Sequence, residues 1–142
     1  MEQMLIIPIK SPVIEIKELL SLRMEVENKL KILEKGRFND VNRYFKEQAI
    51  KFKMRTYNLK GAYKLIATAL SEYMFKILST YEPARKKDYL HQLLQFIDTA
   101  QGIIEVATSL DVDLCAELYL EKIGEFDGEP LYSIRNSMDK KR

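Results

Sequence analysis

Hydrophobic residues recur at steps of three and four through most of the 142-residue chain, which is the spacing of amphipathic helices. The most regular run predicts a helix of seven apolar positions: Leu59, Tyr63, Ile66, Leu70, Tyr73, Ile77 and Tyr81. Asn58 can cap its start, and Pro83 blocks its continuation. This run is the third of the helices that the pattern predicts.

Two earlier helices are bounded by residues that favour helix starts and stops. The first begins after Ser11 and Pro12 and stops at Gly36, which suits the left-handed position that follows a helix. The second begins at Asn39 and frays near Arg55. Both carry apolar residues at helical spacing.

Two further helices are predicted after Pro83. The fourth runs from about Ala84 to Leu110, and its apolar positions cover an arc of about 200°, which is wider than a single core stripe. We therefore expect it to pack on two sides. A last helix opens at Asp113 and ends at Gly128, which is followed by a proline.

Together these elements predict an all-α fold, a four-helix bundle with an additional N-terminal helix and a short N-terminal arm. We expect an arm and extra helix in 1–38, the bundle in 39–128 and a loose tail in 129–142. The arm, Met1–Lys10, is apolar and β-branched, so it can dock on its own bundle or on a neighbour.

Charge is distributed unevenly, although the formal net charge is only +2. Nine cations stand against two acids between Lys35 and Lys64, a net of +7. One lysine stands against eight acids between Glu105 and Glu129, a net of −7. This uneven distribution indicates an anionic partner for the basic segment and a cationic partner for the acidic segment.

The basic stretch is the strongest candidate site because its cations can neutralise several phosphates. The candidate phosphate contacts, including a weaker second set before the fourth helix, are Arg43, Lys46, Lys51, Lys53, Arg55, Lys60, Lys64, Arg85, Lys86 and Lys87. Tyr44 and Tyr57 can stack on bases or pack as core aromatics. The alternatives are a solvated face, in which late cations complement a helix end, or contact with the protein's own acidic segment.

Catalytic groups are scarce. His91 is the only histidine, and the spacing of Asp88 to His91 would have to occur twice in a di-iron bundle. Cys115, the only cysteine, is predicted to be a buried thiol of a helix in a reducing cytoplasm. Four glutamates are compatible with a magnesium-dependent nucleotide hydrolase, but cations interleave with them: Glu15, Glu18, Glu25 and Glu27. We expect no enzyme activity, cofactor or metal.

Four stretches carry a resemblance to a known family: "KFKMRTYNL" from Lys51, "EPARKKDYLHQL" from Glu82, "IDTAQGIIEVATSLDV" from Ile97 and "YLEKIGEFDG" from Tyr119. They resemble the helix junctions, third helix and closing pattern of the four-helix bundle proteins grouped with the accessory variability determinant (Avd) of diversity-generating retroelements. The bundle encoded in intervening sequences of 23S ribosomal RNA is related. The resemblance covers Asn39 to Gly128, and Lys53 stands where the family has proline.

The resemblance implies a non-enzymatic protein that forms a ring, typically a pentamer. Such a protein binds the reverse transcriptase and RNA of the element in support of mutagenic cDNA synthesis. The wide apolar arc of the fourth helix suits an oligomer interface, for which the candidates are Tyr89, Phe96, Ile103 and Leu110. The alternatives are a helical protein-protein interaction module without nucleic acid and, third, the magnesium-dependent hydrolase.

Overall fold

The computed structural model describes residues 13–116 and 118–136. They form four helices, α1 (Ile16–Glu34), α2 (Phe38–Arg55), α3 (Gly61–Ser79) and α4 (Pro83–Ser109), and an antiparallel hairpin of β1 (Leu118–Phe126) and β2 (Glu129–Asn136). The predicted N-terminal arm and the end of the predicted tail lie outside the described residues. The first helix does not start at Ser11 and Pro12 as predicted, because residues 13–15 are not helical, Glu15 is extended and α1 begins at Ile16. Within the described part of the chain, no helix combines the length and apolar character needed to cross a bilayer.

The four helices pack against one another around one hydrophobic core, which confirms the predicted four-helix bundle. Each helix turns one apolar stripe inward, with fully buried residues such as Leu19 on α1, Phe45 on α2, Leu70 on α3 and Ile97 on α4. Because α1 supplies one of these stripes, it is a member of the bundle. The prediction of an additional helix outside a bundle of four is therefore wrong.

A β-hairpin replaces the last predicted helix. Asp127 and Gly128 have φ angles of 52° and 81°, and two such residues in sequence are what a type I′ turn requires. Strand pairing joins Phe126 to Glu129 on either side of this turn. A few apolar residues at helical spacing predicted a helix here, but the Asp-Gly turn decides the local structure. Part of the expected loose tail, Glu129–Asn136, forms β2.

Most of the predicted helix boundaries agree with the structure. Gly36 ends α1 with a φ of 79°, and Pro83 occupies the first turn of α4. Asn58 does not cap α3, because the helix begins at Gly61 and its N-cap residue is Lys60. The backbone N–H of Asn58 instead donates to the carbonyl of Arg55 in the turn after α2. The chain therefore turns for longer between α2 and α3 than the sequence indicated.

Contacts between side chains fix which helices are neighbours. Arg23 of α1 forms an ion pair of 3.3 Å with Asp98 of α4, and the Ser71 hydroxyl of α3 donates to the carbonyl of Ala49 in α2 at 3.1 Å. Consecutive helices are antiparallel, so the end of α2, the start of α3 and the end of α4 lie at the same end of the bundle. The opposite end carries the junction between α3 and α4.

Candidate nucleic-acid interface

The α2–α3 junction holds a group of cations on a hydrogen-bonded turn. The N–H groups of Thr56 and Leu59 donate to carbonyls in the last turn of α2, and Leu59 is buried in the core. The side chains of Lys53, Lys60 and Tyr57 around this turn are exposed. Backbone hydrogen bonds and one buried anchor thus hold a short segment whose charges face water.

Two of the predicted phosphate contacts on α2 face α1. The Arg55 guanidinium forms an ion pair with Glu18 and also donates to the Val13 carbonyl at 3.1 Å. Lys51 lines an open groove of about 230 Å³ together with Glu18 and Glu25. Carboxylates surround both cations, so this edge of α2 is poorly suited to a polyanion, and Arg55 is already neutralised.

The remaining cations of the basic stretch are better placed. Lys53 lies about 160° around α2 from Arg55, on the edge that faces α3. The other five predicted contacts of the basic stretch are exposed and form no ion pair with a carboxylate whose side chain the structure describes: Arg43, Lys46, Lys53, Lys60 and Lys64. The outer side of α2 and the start of α3 therefore carry cations that no described carboxylate pairs.

The α3–α4 junction is different. Lys86 is only 2% exposed, and its ammonium donates to Asn42 Oδ1 at 2.6 Å and to the Ile77 carbonyl at 2.7 Å. Burial lowers the pKa of Lys86. Lys87 forms an ion pair of 3.2 Å with Glu34, which leaves Arg85 exposed. The prediction that Lys86 contacts phosphate is wrong, because the side chain joins three helices inside the bundle.

The loop after α4 packs onto the start of α3. The Ala62 N–H donates to the Leu114 carbonyl at 2.9 Å. Gly61 has a φ of 59°, and a Cβ there would lie 2.3 Å from the Ala116 carbonyl oxygen. Only glycine combines this backbone conformation with so close an approach. The α2–α3 junction is therefore held from outside by the segment that leads to the hairpin.

Cys115 lies in this loop, partly buried, and not in a helical core as predicted. It lines an open cavity of about 330 Å³ with Lys60 and Lys64. Burial is the main cause that raises the pKa of the Cys115 thiol; Asp113 adds to it and Lys60 opposes it. A raised pKa keeps the sulfur protonated at neutral pH, which is unfavourable for a nucleophile.

The two tyrosines predicted to stack on bases differ in exposure. Tyr44 is half-buried, its ring centroid lies 5.2 Å from that of Phe45, and the Lys29 ammonium lies 4.9 Å from its centroid. Burial raises the pKa of Tyr44, with a smaller contribution from Glu25. Tyr57 is 74% exposed and lies in the turn between Lys53 and Lys60 in sequence. Of these two rings, that of Tyr57 is the one available to stack on a base.

The predicted oligomer-interface residues on α4 also divide. Tyr89 and Phe96 pack partly buried against the bundle core, and the Phe96 ring lies 5.5 Å from Tyr73. Ile103 and Leu110 are exposed and line a shallow apolar depression of about 510 Å³ near the end of α4. Tyr89 and Phe96 thus serve the core, whereas Ile103 and Leu110, farther along the helix, are exposed.

The candidates for metal and acid-base chemistry are dispersed. His91 is exposed. The α1 glutamates all form ion pairs: Glu15 with Lys17, Glu18 with Arg55, Glu25 with Lys29 and Glu27 with Arg23. Among the described residues, no three His, Cys, Asp or Glu side chains are grouped so that they can hold a metal ion.

No family model, no curated protein and no solved structure matches this chain.

Proposed function

We propose that this protein is a non-enzymatic nucleic-acid-binding accessory protein that binds RNA at the α2–α3 junction. The observation that carries the proposal is that Lys53, Lys60 and Lys64, on and around the α2–α3 turn, are exposed, as is Tyr57 in that turn, with no described carboxylate paired to any of the three lysines. Lysines bind phosphates as point charges, and an exposed tyrosine ring offers a face to an unpaired base. Single-stranded RNA supplies both groups.

The biological setting of the proposal comes from sequence resemblance. We propose that the RNA is that of a diversity-generating retroelement and that the protein also binds its reverse transcriptase, in support of mutagenic cDNA synthesis. The four-helix bundle and its basic junction are compatible with this role. A reverse transcriptase gene and imperfect sequence repeats beside the gene for this protein are the genomic observation that tests it.

RNA binding itself is tested with a fluorescein-labelled 20-nucleotide single-stranded RNA. Fluorescence anisotropy should show that Lys53→Gln/Lys60→Gln/Lys64→Gln binds at least tenfold more weakly than the unmodified protein at low salt, because three phosphate contacts are removed. The control is Lys29→Gln/Lys31→Gln on α1, far from the junction, which should change the affinity less than twofold. Equal losses in the two variants would contradict a localised site.

We further propose that the apolar depression on α4 is an interface between copies of the chain, with the number of subunits, five by resemblance, left to measurement. Ile103, Val106 and Leu110 are 45%, 58% and 68% exposed, which is unusual for three neighbouring aliphatic residues of a monomer. Light scattering should give an oligomer for the unmodified protein and a monomer for Val106→Asp. A monomer before mutation contradicts this part of the proposal.

A second candidate function is a protein-protein interaction module without nucleic acid. It is favoured by aliphatic side chains that lie exposed among the same cations, such as Ile50 (49%) and Met54 (61%) on α2. Phosphates gain nothing from aliphatic neighbours, whereas an apolar partner does. If the RNA probe does not bind at low salt, this second function replaces the first.

A further inference from the structure

The groove between α2 and α3 has a solvent-facing side whose composition differs from the rest of the bundle. We define the α2/α3 seam by six exposed or half-buried residues: Lys46, Ile50 and Lys53 on α2, and Lys64, Thr68 and Phe75 on α3. Ile50 and Phe75 are 49% and 44% exposed, and neither belongs to the core cluster. Three lysines thus accompany two large apolar side chains that no described element covers.

The Ser71–Ala49 hydrogen bond places these residues on one surface. Lys64 and Phe75 lie about 20° and 40° around α3 from Ser71, at about 100° per residue. Lys53 lies about 40° around α2 from Ala49, and Ile50 lies about 100° from it. Both sets therefore border the same groove on its outer side.

The same hydrogen bond gives the position of each residue along the groove. Residue 71 is level with residue 49, and the helices are antiparallel, so Phe75 is level with residue 45 and Lys64 is level with residue 56. The seam from Lys53 to the level of Phe75 is about 12 Å long at about 1.5 Å per residue. This is about two turns of a helix laid along the groove, with a lysine near each end.

We propose that the α2/α3 seam binds an acidic amphipathic helix of a partner protein. Apolar side chains of such a helix would cover Ile50 and Phe75, and its flanking carboxylates would lie near Lys46, Lys53 and Lys64. The nearest carboxylate on α3 is Glu72, about 100° around the helix from Ser71 and across the groove from Ile50. Glu47 on α2, about 60° around the helix from Ile50, is the second carboxylate on this side of the groove. Three lysines stand against these two carboxylates, so charge complementarity favours an acidic partner.

The occupant is a protein helix because the other polyanions use the seam less well. RNA gains from the lysines and can stack one base on Phe75, but Ile50 offers no ring, so half of the exposed apolar surface of the seam stays uncovered. An anionic bilayer would bury Glu72 along with the apolar residues at its surface, and a buried unpaired carboxylate is unfavourable. A single helix can cover the groove and leave Glu72 in water.

The binding probe is a fluorescein-labelled 14-residue peptide with leucines at helical spacing of three and four and glutamates at the other positions. At 0.15 M salt it should bind at least tenfold more tightly than either of two controls, one with glutamine for leucine and one with lysine for glutamate. Equal binding of the glutamine peptide would show attraction by charge alone and overturn the proposal. Phosphatidylglycerol vesicles that bind in place of the peptide would also overturn it.

Substitutions in the seam locate the peptide. Ile50→Ser/Phe75→Ser should weaken peptide binding at least tenfold, whereas Leu20→Ser/Met24→Ser, which changes two exposed apolar residues of α1, should leave it within twofold. Glu72→Lys should strengthen it, a gain that loss of folding cannot imitate. Equal losses in the two serine variants, or no gain in Glu72→Lys, would overturn the assignment.

This inference goes beyond the proposed RNA binding and can fail separately from it. The Ile50→Ser/Phe75→Ser variant should keep its affinity for the 20-nucleotide RNA within twofold, since no lysine is changed. Peptide binding without RNA binding would contradict the proposed function and support the α2/α3 seam as a site for an acidic helix. RNA binding without peptide binding would reject the seam alone.

Discussion

The α2–α3 and α3–α4 junctions are both rich in lysine, but their lysines are placed differently. At the α2–α3 junction Lys53 and Lys60 are exposed and unpaired with any described carboxylate. At the α3–α4 junction Lys86 is buried and donates two hydrogen bonds, and Lys87 forms an ion pair with Glu34. A run of cations in sequence therefore does not establish a binding surface, because helix phase decides which charges reach solvent.

The difference arises from what lies opposite each cation. Lys86 occupies an inward position of α4, four residues before buried Leu90. It can stay inside because its ammonium donates hydrogen bonds to the Ile77 carbonyl and to Asn42 Oδ1. Lys53 occupies an edge of α2 with no such acceptor nearby among the described side chains. One lysine stabilises the bundle, and the other is available to a ligand.

The largest effect should come from Lys86→Ala. This change removes a buried side chain and leaves two acceptors without a donor, so the free energy of unfolding should fall by about 3–4 kcal/mol. Urea denaturation followed by circular dichroism measures it. The neighbouring exposed residue supplies the control: Arg85→Ala should cost less than about 0.5 kcal/mol. Similar urea midpoints for Lys86→Ala and Arg85→Ala would contradict the claim that Lys86 stabilises the bundle from inside.

A smaller effect should distinguish the junction glycines. Gly61→Ala should lower the free energy of unfolding by about 2–3 kcal/mol, because the added Cβ would meet backbone carbonyls and the φ is positive. Gly36→Ala shares the positive φ but has open space around it, so about 1 kcal/mol is expected. Thermal melts compare them. If Gly36→Ala proves the more harmful, the loop after α4 does not hold the α2–α3 junction.

The smallest effect is a pH dependence of the free energy of unfolding that arises from Lys86 at the α3–α4 junction. Burial lowers the pKa of Lys86 in the folded protein, so the unfolded chain binds more protons between that value and the ordinary lysine pKa of about 10.4. The contribution of Lys86 to the free energy of unfolding therefore rises with pH in that window. It is lost as the pH falls through the pKa that Lys86 has in the folded protein. Lys86→Met should flatten the rise.

The pH effect is measured as the difference in urea midpoints between unmodified protein and Lys86→Met at each pH. Tyrosines such as Tyr63, whose pKa burial raises, act in the opposite direction above about pH 10, but they are common to both proteins and cancel in the difference. A difference that does not change with pH would mean that Lys86 keeps its ordinary pKa in the bundle.

The helical body could be predicted from the sequence because its apolar periodicity is long and regular. The unbroken series from Leu59 to Tyr81 predicted α3, and Pro83 and Gly36 marked boundaries that the structure confirms. These signals are local, so they act wherever the segment lies in the fold. The resemblance to the Avd family stays a prediction.

Other features depend on signals that compete with one another or are not local. Asp127-Gly128 is a strong hairpin signal, but the apolar spacing from Leu114 to Phe126 predicts a helix over the same residues. If residues 113–128 were a helix, the chain would have five helices, and α1 would be the additional one outside a bundle of four. The missed hairpin therefore accounts for both wrong predictions, the last helix and the additional N-terminal helix. The burial of Lys86 depends on Asn42, which is 44 residues away, so no local pattern indicates it.

The most direct test of the central claim is the salt dependence of RNA binding for the two junctions side by side. Each phosphate that a lysine neutralises on single-stranded nucleic acid contributes about 0.7 to the slope of log K against log salt. We predict that Lys53→Gln/Lys60→Gln/Lys64→Gln reduces the magnitude of this slope by about 2, because three such lysines are removed. Arg85→Gln/Lys87→Gln should change it by at most about 0.7, because Arg85 is the one cation of that junction left exposed and unpaired with a described carboxylate. Equal slopes for both variants, or a larger change at the α3–α4 junction, would contradict a binding surface at the α2–α3 junction.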